Sequence, residues 1–186
     1  MASDLFVSRG GEKLQAALAN FQINITGKTC LDIGSSTGGF VDCLLKNGAA
    51  KVYSVDTAYG ELAWKLRNDP KVIVMERTNV LHLNKLPEQM DLITIDAGWT
   101  KLELVLPAIK KFLKDNGQII ALLKPHYETL NKRGNLVRGI VPEDKVQSIK
   151  DKVQKEIGNL GFKVKDEMES PILGGAGNIE YLLLIK

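Results

Sequence analysis

Leu31-Asp32-Ile33-Gly34-Ser35-Ser36-Thr37-Gly38-Gly39-Phe40 is the stretch on which the reading of this chain turns. An apolar run, Thr29 to Ile33, leads into it as a strand, and a helical pattern, Gly39 to Asn47, leads out. The glycines between them let the chain turn sharply and let a ligand approach the backbone. A dinucleotide fingerprint requires Gly-x-Gly-x-x-Gly, whereas Gly34 is followed by three non-glycine residues before Gly38 and Gly39. A pyrophosphate cradle fits poorly, and Asp32 adds a carboxylate where a phosphate would be repelled. The turn favours a cationic ligand.

Outward from this turn, short β-rich runs alternate with helical ones. Lys51 to Val55, Lys71 to Met75, Asp91 to Ile95 and Gln118 to Leu123 read as strands; Tyr59 to Arg67 and Lys101 to Lys114 read as helices. Such alternation predicts right-handed crossovers and a largely parallel sheet covered on both faces. Pro142 opens a later helix with Val146, Ile149, Val153 and Ile157 on one stripe. Phe162 to Glu167 and Asn178 to Ile185 follow as strands, joined by the loop Met168 to Gly177, too short for a crossover helix. The last pair is therefore an antiparallel hairpin. The expected fold is α/β, a Rossmann-like class I methyltransferase sheet of seven strands, mostly parallel, in a single domain over residues 1–186. Residues 1–21 add a helix from about Gly11 to Asn20, with Leu14, Ala17, Leu18 and Phe21 on its packing stripe and Lys13 beside it.

The chain's 186 residues are enough for one well-buried core, and 44% hydrophobic with 25% charged residues is ordinary for a globular domain. A net charge of +3 is too small to identify a polyanionic partner by itself. Cys30 and Cys43 lie inside apolar patterning without Cys-x-x-Cys spacing, which argues against a disulfide framework or a metal site. No apolar run approaches the roughly 20 residues of a membrane span, and no secretory segment follows Met1, so the cytoplasm is the expected location and no membrane role is expected.

Asp56 follows the second strand, 24 residues after Asp32, close to the spacing at which a carboxylate accepts hydrogen bonds from a ribose diol. Asn79 and Val80, beyond the third strand, are placed to read an adenine edge, although Asn79 reads equally as a turn former. Together with Asp32, Gly34, Ser35, Ser36, Thr37, Gly38, Gly39 and Phe40 they form a candidate site for S-adenosylmethionine, whose methionine end is cationic.

Ligands of open α/β sheets bind beyond the carboxyl ends of the strands. The fourth strand delivers Asp96 there, the fifth delivers Lys124, and the hairpin return delivers Glu180. Lys124 emerges from Ile119-Ile120-Ala121-Leu122-Leu123; burial there would lower its amine pKa from about 10.4 and let it act as a base. Taken singly, Asp96 reads equally as a helix cap, Lys124 as a solvated strand end, Glu180 as an edge residue facing water and Lys13 as a solvated lysine. His82 and His126 have no evident partner in the sequence.

Five stretches in order carry a family resemblance: Ser8-Arg9-Gly10-Gly11-Glu12-Lys13-Leu14, the turn from Asp32 to Phe40, Glu76-Arg77-Thr78-Asn79, Leu123-Lys124-Pro125, and Gly177-Asn178-Ile179-Glu180-Tyr181. The chain resembles FtsJ-like RNA methyltransferases, and among them the TlyA branch, often labelled haemolysin. The resemblance implies S-adenosylmethionine as cofactor and ribose 2′-O-methylation of RNA by a Lys-Asp-Lys-Glu tetrad, falling on Lys13, Asp96, Lys124 and Glu180. It also implies ribosomal RNA or a ribosomal subunit as partner. Arg9, Trp99, Lys132, Arg133 and Arg138 are candidates for holding that RNA, Trp99 by stacking and the basic residues through phosphates. The sequence departs from that branch in two places. It begins almost directly at Ser-Arg-Gly-Gly, without the usual amino-terminal S4-like RNA-binding module. It also carries Ala97-Gly98-Trp99-Thr100 where Val-Ser-Phe-Ile is more usual. Methylation of a small molecule or protein, a binding protein without chemistry and a cytolysin are the competing readings.

Overall fold

A computed structural model describes residues 5–98, 100–129, 140–174 and 177–186. Seven strands form one sheet: β1 (Thr29–Ile33), β2 (Lys51–Val55), β3 (Val72–Met75), β4 (Met90–Ile95), β5 (Leu113–Leu123), β6 (Val164–Glu169) and β7 (Tyr181–Ile185), in the order β3-β2-β1-β4-β5-β7-β6. The first five pair in parallel, and β7 runs antiparallel between β5 and β6. This is the expected doubly wound sheet with its antiparallel end.

Side chains alternate across the sheet with period two, so each strand feeds two cores. One core takes Leu31, Ile33, Ile93, Ile95, Ile119 and Leu183 beneath α4 (Leu102–Ile109) and α6 (Glu143–Asn159). The other takes Cys30, Val52, Leu92, Ile120 and Leu182 beneath α1 (Gly10–Asn20), α2 (Gly39–Lys46) and α3 (Trp64–Arg67). Each wholly buried aliphatic side chain contributes about 1.5–3 kcal/mol. In α1, Leu14, Ala17 and Leu18 are buried as the stripe predicts. In α6, Ile149, Val153 and Ile157 are buried, with Pro142 at the cap.

Several boundaries differ from the expectations. The helix expected over Tyr59 to Arg67 forms only from Trp64, because Gly60 adopts φ +79° and donates its N–H to Glu76 Oε1 at 3.0 Å, holding the preceding loop away from helical geometry. The helix expected over Lys101 to Lys114 ends at Ile109; Pro107 removes a donor inside it, and a 3-10 turn at Lys110–Phe112 leads directly into β5. That strand starts at Leu113 rather than Gln118, because Leu113 pairs with Met90 before Lys114 to Gly117 bulge out of register. In the hairpin, β6 runs two residues later than expected. Strand β7 starts at Tyr181 because Asn178 to Glu180 are tied to the connecting loop: Gly174 N–H donates to the Asn178 carbonyl at 2.9 Å and Ser170 N–H to the Glu180 carbonyl at 2.8 Å.

Candidate active site

Strand register assembles the site. Ile33 pairs with Ile95, so Gly34 and Asp96 leave the sheet side by side, at the point where the strand order reverses between β1 and β4. Leu123 pairs with Tyr181, so Lys124 leaves β5 beside Glu180 entering β7. Gly34 has φ +79°, and a Cβ on it would lie 2.5 Å from the Asp96 carbonyl oxygen. Only glycine lets the two strand ends approach this closely.

Four charged side chains meet at this edge in two ion pairs. Lys13 Nζ donates to Glu180 Oε2 at 2.5 Å, with Lys13 9% and Glu180 3% exposed. Lys124 Nζ is ion-paired with Asp96 Oδ1, and both side chains are mostly buried. Burial pushes the Asp96 carboxyl above its usual range, while the Lys124 and Lys13 ammonium groups pull it back down. Lys13 is therefore not solvated: α1 carries it under the β7 end. His126 lies within the field of Glu180 and Lys124, and burial pushes its imidazole pKa down.

Two cavities open on these groups and share Gly34, Ser36 and Asp96. The smaller, about 260 Å³, is bounded by Arg9 and Lys13 on the amino-terminal side, by Ser35 to Thr37, Gly39 and Phe40 of the turn, and by Ile172 and Leu173 of the hairpin loop. The larger, about 560 Å³, is bounded by Asp56, Asn79, Val80, Thr100 and Lys124. Its size falls within the roughly 300–1,000 Å³ of small-molecule sites. Apolar Ile33, Val55 and Val105 give it flat walls, and Asp56 and Asn79 give it hydrogen-bonding groups. That combination suits a nucleoside, so the residues present fit S-adenosylmethionine.

Within the turn the roles divide. Asp56 Oδ2 accepts from Ser36 N–H at 2.7 Å and Oδ1 from Ala58 N–H at 2.8 Å, so its carboxylate braces the turn as well as facing the larger cavity. Gly38 is left-handed at φ +99° and starts α2. Asn79 Oδ1 accepts from Leu81 N–H at 2.9 Å, capping the 3-10 turn Val80–His82, so it is a turn former while its remaining amide borders the cavity. Asp32 borders neither cavity. It is wholly buried beneath the turn, with Oδ1 accepting from Thr94 Oγ1 at 2.6 Å. Its Oδ2 has no hydrogen-bond partner among the described residues. Burial pushes its carboxyl up to about 7, against the opposing pull of the Thr94 and Ser35 side chains.

Arg9 is exposed at the start of α1 and borders the smaller cavity. Trp99, Lys132, Arg133 and Arg138 lie outside the described residues. Cys30 and Cys43 are buried free thiols, pushed up to about 12 chiefly by burial. Among the described residues no helix is long and apolar enough to cross a membrane. Sequence reasoning passed over Thr94, Ile172 and Leu173. For Thr94 the signal was a hydroxyl inside the apolar run Asp91 to Ile95; for the other two, hairpin loop composition carries none.

The FtsJ-like methyltransferase family model matches residues 6–186. YqxC of Bacillus subtilis, named as a candidate rRNA methyltransferase, is 42% identical over 187 residues, which is 96% of this chain and 64% of YqxC. TlyA of Mycobacterium tuberculosis, a 16S/23S rRNA (cytidine-2′-O)-methyltransferase, is 40% identical over 188 residues, covering 97% of this chain and 68% of TlyA. The chain thus spans about two thirds of the length of these relatives. A crystal structure of a protein from Lactococcus lactis, described as a candidate hemolysin, superposes with a TM-score of 0.91 at 44% identity, over 97% of this chain and 88% of that one. The chain belongs to the FtsJ-like family of S-adenosylmethionine-dependent methyltransferases, in the branch that holds TlyA.

Proposed function

We propose that this chain methylates a ribose 2′-hydroxyl of RNA, with ribosomal RNA as substrate and Lys13, Asp96, Lys124 and Glu180 as the catalytic tetrad. The observation that carries this reading is the meeting of two buried lysine–carboxylate pairs, with Asp96 and Lys124 bordering a nucleoside-sized cavity and Lys13 bordering the adjoining smaller one. Bound S-adenosylmethionine would supply an electrophilic methyl group. The larger cavity would hold its adenosine, with Asp56 at the ribose, Asn79 and Val80 at the base, and the turn from Gly34 to Phe40 at the methionine end. Asp32 acts from beneath that turn.

The chain's own residues then have one chemical task, because a ribose hydroxyl is a weak nucleophile until its proton is taken as it attacks. Lys124 Nζ takes that proton. To do so the amine must be neutral. Burial raises the Asp96 carboxyl beside it, so that carboxyl takes up a proton at less cost than in water. Lys13 brings a second positive charge to the site, and Glu180 fixes it in place. Lys13 also steadies the developing oxyanion. Arg9 and the basic residues Lys132, Arg133 and Arg138 would take RNA phosphates, and Trp99 would stack on a base.

The test is transfer of tritiated methyl groups to ribosomal RNA from cells lacking the activity, by wild type, Lys124→Ala and Asp96→Ala. Wild type should label RNA in alkali-resistant linkages, since a methylated 2′-oxygen cannot cleave its neighbouring phosphodiester, and both variants should lose at least about 100-fold. Equal labelling by all three proteins overturns the tetrad, and alkali-sensitive label overturns the ribose. Cofactor binding in calorimetry without any labelling would favour a binding protein.

A further inference from the structure

We infer that Glu128 is a positioning residue that clamps the Asp96 arm of the site to the Lys124 arm; this rests on the proposed function. Glu128 ends α5 (Pro125–Glu128), the single helical turn that follows Lys124. It is 6% exposed, borders neither of the two cavities of the site, and takes no part in the chemistry proposed above. Its N–H donates to the Lys124 carbonyl at 3.3 Å, and its side chain leaves the turn in the other direction: Oε1 accepts from Leu102 N–H at 3.2 Å.

Leu102 is the first residue of α4, whose cap position holds Lys101, a side chain that cannot accept a hydrogen bond from the open N–H groups. Glu128 supplies, from another strand's exit, a side-chain acceptor for the first open N–H of the helix, where Lys101 offers none. A negative charge at the start of a helix is also favoured by the helix dipole. The chain entering α4 is the Asp96 arm, and its Asp96, Ala97, Gly98 and Thr100 border the larger cavity. One buried carboxylate therefore links the segment carrying the proposed base to the segment carrying its partner. Its second oxygen, Oε2, is buried with no hydrogen-bond partner among the described residues, an arrangement that stability alone does not favour.

Several charged groups act on Glu128. Burial pushes its carboxyl up; the Leu102 N–H and the Lys101 charge hold it down, and across from α6 Glu156 raises it and Lys152 lowers it. Lys152 and Glu156 are themselves ion-paired at 3.0 Å, and Lys101 pairs with Glu103 at 3.6 Å, so neither lysine is dedicated to Glu128.

The experiment compares Glu128→Ala and Glu128→Gln with wild type, on the folded chain below its melting temperature. Two quantities are read: methyl transfer to ribosomal RNA, and NMR titration of the Asp96 Cγ carbon without ligands. Glu128→Ala should lower kcat roughly 10- to 100-fold, the cost of misplacing groups by about an ångström, and leave the calorimetric Kd for S-adenosylmethionine within about twofold. It should also raise the Asp96 titration, because separating the two arms removes the downward pull of the Lys124 charge. Glu128→Gln keeps an acceptor for Leu102 N–H and should restore most of both. Wild-type kcat and an unmoved titration in Glu128→Ala overturn the clamp. If wild type transfers no methyl group, the proposed function fails, and the titration still decides whether Glu128 holds the pair.

Discussion

The buried carboxylate of Asp32 should make folding depend on pH in a way that one substitution isolates. Its pKa stands at about 7 in the folded chain, against 3.8 for an unburied carboxyl. That rise of about 3 units is worth about 4 kcal/mol at 1.36 kcal/mol per unit. Because the folded state holds the proton more tightly than the unfolded state, stability falls as pH rises from about 4 to about 7 and then levels off with the full cost present. In Asp32→Asn the titrating group is gone, while the amide oxygen still accepts from Thr94. Its buried amide hydrogens cost about 1–3 kcal/mol, but equally at every pH. Relative to wild type, Asp32→Asn should therefore gain about 3 kcal/mol of unfolding free energy between pH 5 and pH 8. Urea unfolding of both ligand-free proteins at each pH measures this. A difference between the two proteins that stays constant to within about 0.5 kcal/mol across that range refutes the assignment of a protonated, strained Asp32.

The Lys13–Glu180 pair gives a second expectation. Lys13→Ala leaves Glu180 buried without a counter-charge and should cost about 3–5 kcal/mol in thermal unfolding, whereas Lys13→Met with Glu180→Met should recover most of it. Gly34→Ala would place a Cβ 2.5 Å from the Asp96 carbonyl at φ +79°; about 1–3 kcal/mol of strain and a lower affinity for S-adenosylmethionine in calorimetry should result. Asp56→Ala removes the acceptor of Ser36 and Ala58 N–H groups and a polar group of the larger cavity. Cofactor Kd should rise at least about tenfold, a loss of about 1.4 kcal/mol, and the melting temperature should fall by a few degrees as the two hydrogen bonds to the turn are lost.

What could be read from the residues depended on how local the signal was. The strands from Thr29 to Leu123 were legible because each is a short β-rich run, and the turn after Asp32 was legible because glycine spacing is local. Three missed boundaries depend on distant partners: Glu76 holding Gly60, Met90 recruiting Leu113 into β5, and the loop carbonyl contacts that delay β7 until Tyr181. At the site, Asp96, Lys124 and Glu180 were placed at one sheet edge by topology alone. That Lys13 pairs with Glu180, across 167 residues of sequence, was beyond periodicity to reveal, since helical spacing set Lys13 only beside the apolar stripe. Asp32 had the opposite fate. Its position at the strand end suggested a ligand-facing carboxylate, yet side chains alternate along a strand, and Thr94 on the neighbouring strand draws it under the turn.

The two ion pairs also bear on why the site has its present form. Moving charges out of water is costly, and a buried pair seldom stabilises a fold better than apolar side chains of the same volume. This sheet edge has ample apolar material around it: Leu122, Leu123, Leu182 and Leu183 are all buried within a few residues of the pairs. A chain under pressure for stability alone could fill positions 13 and 180 from the same repertoire. It instead holds four ionisable groups in two lysine–carboxylate pairs, brings them together through register between strands and one helix, and accepts a buried Asp32 carboxyl below them. Stability should thus be recoverable at this edge by apolar substitution while methyl transfer is not. If Lys13→Met with Glu180→Met kept both its fold and its transfer rate, the pair would have to be regarded as packing and the tetrad reduced to Asp96 and Lys124.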